Sequence, residues 1–95
     1  MNAQRFEWDE AKTEANLRKH KIGFAEAATV FDDPFVLIEP DLAHSTDELR
    51  AIATGFSARS RVLLVVYTER RERIRLISAR KANAEERRKY ESQFA

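Results

Sequence analysis

Four polar side chains early in the chain fall at helical spacing. Lys12, Asn16, Lys19 and His20 stand at i, i+4, i+7 and i+8, on one face of a helix. Imidazole is the side chain that exchanges protons near neutral pH, so a helix-borne His among cations could transfer one. The same spacing also describes a plain solvated stripe. A second set lies in "RIRLISARKA", residues 73–82, where Arg73, Arg75, Arg80 and Lys81 recur along a segment that reads as a strand. Guanidinium forks hold phosphate oxygens through two hydrogen bonds and stay charged at any relevant pH. Arg50 and Tyr67 stand on neighbouring segments, and an aromatic ring can stack on an unpaired base. This chemistry suits a surface that binds RNA and could cut it. Exposed arginines also blunt sheet edges and pair with acids, so composition alone leaves both readings open. His44 sits in an acidic loop and receives no role.

These residues need elements to carry them. "RFEWD" (5–9) alternates weakly and reads as a short strand. Asp9 suits the N-cap of a helix over 10–20. A second helix is expected at 24–31, where Phe24, Ala27, Ala28 and Phe31 form a buried stripe ended by Pro34. "FVLIE" (35–39) reads as a strand, and 40–48 as a polar connection. Strands follow at 49–57, 61–69 and 73–80, joined by tight connections that suit antiparallel hairpins. The most apolar of them, 61–69, belongs in the middle. Asn83 with Glu86 three residues on predicts a capping box for a last helix over 84–94. The order is β-α-α-β-β-β-β-α, an α+β domain with a mainly antiparallel sheet and helices on one face. Strand alternation then puts Ile74, Leu76 and Ser78 on the covered face, and Arg73, Arg75 and Ile77 on the open one. Arg50 is a second open-face position, and Arg80 lies near a strand end.

The whole chain narrows the function classes. Its 95 residues suffice for one domain, 1–95, and not two. There is no Cys, which excludes structural disulfides and cysteine-ligated metal. His20 and His44 are the only imidazoles and show no ligand spacing, so neither metal nor cofactor is expected. The N-terminal "MNAQRFEWDEAK" has no apolar signal core, and the run "VLLVV" is far too short to span a bilayer. The expectation is a cytoplasmic protein without membrane contact. Net charge is +1, but it is polarised. Residues 1–48 hold five Lys and Arg against eleven Asp and Glu, and residues 49–95 hold twelve against five. Such asymmetry suggests a basic binding face, with the acidic stretch 32–48 either its counterion or a region repelling RNA.

"FEWDEAKTEANLRKH", "FAEAATVFDDP" and "LLVVYTERRERIRLISARKANAEERRKY" together resemble the BrnT toxin family of bacterial type II toxin–antitoxin systems, in the right order over residues 6–90. The resemblance implies a RelE-like α+β fold and a ribonuclease that cleaves RNA and blocks translation. It also implies a cognate BrnA antitoxin with a DNA-binding domain. Carried over by position, the family's recurring polar residues are Lys12, Asn16, Lys19, His20, Arg50, Tyr67, Arg75, Ser78 and Arg80. One departure concerns the Gly that commonly follows the Lys-His pair; here Lys21 takes that place, and Gly23 could start the next helix instead.

The chemistry of RNA cleavage then sets the expected roles of these residues. The 2′-hydroxyl of RNA attacks the adjacent phosphate without a metal. Arg75 and Arg80 stabilise the developing charge, with Arg50 holding the backbone. His20 is the expected proton-transfer group, with Tyr67 the alternative, and Lys19 either replaces the acid or binds phosphate; Lys12, Asn16 and Ser78 are expected to bind substrate. The scheme requires Arg75 and Arg80 to converge on one uncovered surface. Rivals are a non-catalytic RNA-binding or protein-interaction module, and a magnesium enzyme using Asp32, Asp33 and Asp41.

Overall fold

The computed structural model describes residues 5–45 and 48–94; part of the 40–48 connection lies outside them. β1 is Phe6–Glu7 and α1 is Glu10–His20. The Asp9 carboxylate caps α1, accepting from the N–H groups of Ala11 at 2.8 Å and Lys12 at 3.3 Å. At the other end Lys21 ends the helix at φ 64°, the left-handed conformation that glycine adopts without steric cost. Gly23 is the N-cap of α2, Phe24–Ala28, which tightens into a 3₁₀ turn at Thr29–Asp32. The expected helix over 24–31 is therefore five α residues and a turn.

β2 is Leu37–Pro40, β3 Arg50–Phe56, β4 Val62–Arg70 and β5 Arg73–Lys81. A 3₁₀ turn at Leu42–His44 interrupts the β2–β3 connection. α3 is Ala84–Glu91, and its expected capping box is present: Asn83 accepts from Glu86 N–H, and Glu86 accepts from Asn83 N–H. The strands form one sheet in the order β1-β5-β4-β3-β2, antiparallel except for the β1–β5 pair. The result is the expected α+β fold, with β4 at the centre.

α1 and α2 cover one sheet face, where Phe24, Val30, Leu63, Val65 and Leu76 are fully buried. Phe31 reaches this core from the 3₁₀ turn, its ring 5.4 Å from Phe6 and 5.0 Å from Tyr67. Helices on one face describes α1 and α2. α3 instead reaches the second face, where Glu86 and Lys89 stand beside Ile52, Thr54 and Leu64. Its Tyr90 hydroxyl donates to the Asp33 carboxylate.

A β-bulge decides what the second face carries. Val66 pairs with Ser78 but Tyr67 pairs with Leu76, so Ile77 is the extra residue on β5. The bulge reverses alternation beyond it. Ala79 becomes the buried residue, while Ser78 and Arg80 turn outward. The expectation that Ser78 shares the covered face with Ile74 and Leu76 is thereby corrected.

Candidate active site

A groove of about 490 Å³ crosses the second sheet face. Its floor is Ile52 of β3, Leu64 and Val66 of β4, and Ser78 of β5. Lys19 and His20 enter from the C-terminal end of α1, Arg50 from β3, Arg80 from β5, and Asp41 with His44 from the turn after β2. Glu86 of α3 closes one side. A second hollow of about 630 Å³ beside β2 shares Arg50 with the groove, but it is mainly apolar and rimmed by Glu39, Glu48 and Glu69, charges that would repel a polyphosphate.

The end of α1 is held at the sheet by Asn16. Its side chain donates to the carbonyls of Ala79 and Ile22, each at 2.8 Å, and accepts from the Ala79 N–H at 3.1 Å. The amide thus satisfies the backbone of β5 where that strand has no neighbouring strand. Asn16 is buried and fully bonded, so it positions Lys19 and His20 rather than facing a ligand. Arg18, Lys19 and His20 form the last turn, where the helix dipole attracts cations.

The arginines divide sharply. Arg61 holds Glu26, and Arg70 holds Glu48. Arg75 donates to Glu7 at 3.1 Å, across the β1–β5 pair, and lies outside the groove. Arg80 forms a fork with Glu86 at 2.8 and 2.9 Å. The expected convergence of Arg75 and Arg80 is therefore not found, because each meets a carboxylate of its own chain. Arg50 differs. Among the described residues its guanidinium has no carboxylate partner, and its Nε is buried without a hydrogen bond. The residue lines the groove, and a guanidinium without a carboxylate partner among the described residues can take an acceptor supplied from outside.

Tyr67 belongs to the covered face. It is 7% exposed within the core cluster, and burial first, then Glu69, pushes its hydroxyl above the ordinary value. An open-face role for Tyr67 is corrected by its alternation with Leu63 and Val65. Lys12 is exposed on α1 and does not line the groove. Within the acidic stretch Glu39 pairs with Lys89 and Glu48 with Arg70, while Asp41 meets the His44 ring. Asp33 instead accepts from Tyr90 and from the N–H groups of Phe35 and Phe56. Among the described residues no three His, Asp or Glu side chains are grouped to hold a metal ion. No helix among them is long and apolar enough to cross a membrane.

His44, given no role from the sequence, lines the groove. Its Nδ1 lies 3.1 Å from both carboxylate oxygens of Asp41, three residues earlier, in the groove wall. The Asp-x-x-His spacing before the strand was the available signal.

Residues 8–86 match the model of a family described as the ribonuclease toxin, BrnT, of type II toxin–antitoxin systems. The chain belongs to that family. BrnT membership makes RNA the substrate class and an antitoxin the expected partner. The fold agrees with the crystal structure of the ribonuclease toxin BrnT of Brucella abortus, with a TM-score of 0.62 at 23% identity. That alignment covers 80% of this chain and 92% of the other. The comparison with curated proteins gives no match.

Proposed function

We propose that this BrnT-family chain cuts single-stranded RNA in the groove between α1 and the Leu42–His44 turn, without a metal. The observation that carries the reading is Arg50: a guanidinium with no carboxylate partner among the described residues, in the same groove as Lys19 and His20. A scissile phosphate held by Arg50 and Lys19 gains charge stabilisation where negative charge grows in the transition state. His20 stands beside them for proton transfer. Ser78, turned into the groove by the bulge, offers a hydroxyl to the sugar–phosphate backbone. Arg80 contributes when a phosphate displaces Glu86.

The partner in this reading is a BrnA-like antitoxin with a DNA-binding domain, encoded beside the toxin, and the pair works in the cytoplasm. Finding a short reading frame of that kind immediately downstream in the genome would support it.

The decisive experiment is incubation of purified protein with single-stranded RNA in EDTA. Cleavage that survives the chelator and falls in Arg50→Ala supports the proposal. Binding without cleavage makes the chain a non-catalytic RNA-binding module instead.

A further inference from the structure

The ribonuclease reading gives the groove one proton-transfer group, yet the groove has a second imidazole. His44 projects from the Leu42–His44 turn with 70% of its side chain exposed, while its partner Asp41 is 9% exposed. An ionised carboxylate only accepts hydrogen bonds, so Nδ1 must carry the ring hydrogen. In the neutral ring Nε2 then holds the lone pair, on a side chain that is largely exposed, and that form can accept a proton. The turn is rigidly tied. Asp41 N–H donates to Arg50 C=O at 2.8 Å, Ser45 Oγ donates to Asp41 C=O at 2.8 Å, and Arg50 N–H donates to Ser45 Oγ at 2.9 Å. The segment that carries Arg50 therefore also fixes His44.

We infer that His44, oriented by Asp41, is the general base of this groove and that His20 is its acid. This rests on the ribonuclease reading and adds a residue to it. The topology supplies the argument. α1 delivers His20 at the β5 side, and the turn delivers His44 at the β3 side, with β4 between them. An in-line displacement needs its base and its acid on opposite sides of the phosphorus. His44 Nε2 takes the proton of the 2′-hydroxyl as the O2′–P bond forms. The P–O5′ bond breaks, and the leaving O5′ takes a proton from the His20 imidazolium. The products are a 2′,3′-cyclic phosphate and a 5′-hydroxyl, with one proton gained by His44 and one lost by His20. The charged groups facing these rings are Lys19 on α1, Asp41 on the turn, Arg50 on β3, Arg80 on β5 and Glu86 on α3.

The test uses the full chain made by cell-free synthesis, single-stranded RNA and EDTA. His44→Gln is expected to slow cleavage by about 10²–10⁴, the usual span of acid–base catalysis. Its affinity for an uncleavable 2′-deoxy analogue and its melting temperature stay within error of the parent. His44→Ala recovers activity when imidazole is added, which a structural role would not produce. Asp41→Asn, altering a positioning residue, lowers kcat without raising KM. A substrate with sulfur in place of the bridging 5′-oxygen leaves without an acid; it should relieve His20→Gln and not His44→Gln. Cleavage by His44→Gln within threefold of the parent overturns the inference while leaving the ribonuclease reading intact. Relief of His44→Gln by the sulfur substrate, or no rescue by imidazole, overturns it too. A parent protein that does not cut RNA removes the ribonuclease reading itself.

Discussion

Arg80 and Glu86 face each other through two hydrogen bonds, joining β5 to the first turn of α3 beside the groove. The Arg80 fork first, and then the Asn83 N–H, outweigh burial and hold the Glu86 carboxyl below the usual carboxylate range. The pair thus fastens α3 and at the same time occupies a cation that RNA could use. Glu86→Gln separates these effects, because Gln still serves a capping box. With the Arg80 side chain 40% exposed, the stability loss should be at most about 1 kcal/mol. RNA affinity should rise. The slope of log K against log salt should steepen by about 0.7, the value for one further phosphate contact on a single strand. Titration of a labelled RNA at several salt concentrations checks this.

Arg50 and Arg75 stand in one row, each paired in register with Thr68 between them. Only Arg50 enters the groove, since Arg75 is turned to Glu7. Arg50→Ala should slow RNA cleavage by on the order of 10²–10³, as expected when a transition-state charge partner is removed. Arg75→Ala should cost less than about tenfold, well under the loss of an aligned transition-state donor. Equal losses measured in a single-turnover assay would show that the row, and not the groove, holds the phosphate.

Asn16 closes the exposed part of β5 with two hydrogen bonds and holds the Ile22 carbonyl with a third, so its removal strands the N–H and C=O of Ala79. Asn16→Ala should lose about 2–3 kcal/mol, consistent with the cost of unsatisfied buried groups. The drop should appear in urea unfolding. If Asn16 instead bound substrate directly, stability would be unchanged and KM would rise.

The elements were legible because their signals are local. Asp9 and the Asn83–Glu86 box act within three residues, and strand alternation reads off directly. What failed is non-local. Nothing in "RLISAR" marks Ile77 as the bulged residue, since the shift arises from pairing with β4. Arg75 finds Glu7 across 68 positions of chain, so its charge looked free. Tyr67 alternates as expected, but which side faces α2 is set by packing. His44 is the opposite case. Its partner is only three residues away, yet an acidic loop concealed a specific contact.

Lys21 occupies a left-handed conformation that costs an L-residue roughly 1–2 kcal/mol relative to right-handed helix. Its carbonyl accepts from Arg61 at 3.2 Å, and its N–H bonds to Leu17, so the backbone is held there whatever the side chain. Lys21→Gly relieves the strain but gives the unfolded chain more freedom. The expected balance is a gain of about 0.5–1 kcal/mol, read as a higher urea midpoint at unchanged m. A loss would mean that the Lys21 side chain stabilises the fold by more than the strain it causes.

Stability should fall at both ends of the pH scale, for different reasons. The Glu26 carboxyl is held down chiefly by its hydrogen bonds from Arg61, against burial and with help from Ser57. Burial pushes Asp33 up, but the bonds from Tyr90, Phe56 N–H and Phe35 N–H together bring it below the usual range. A depressed carboxyl binds fewer protons folded than unfolded. Its contribution is therefore complete above the ordinary carboxylate range near pH ~4 and is lost as pH falls through the folded value. Tyr90 runs the other way. Burial, then its bond to Asp33, push its hydroxyl up to about 12. Its contribution is present below the ordinary value near pH ~10 and disappears between there and about 12. Urea midpoints of the parent should drop on both sides. Glu26→Gln should flatten the acid limb only, and Tyr90→Phe, which removes the ionisable hydroxyl, should flatten the alkaline limb. A Tyr90→Phe protein with an undiminished alkaline loss would place that titration elsewhere in the chain.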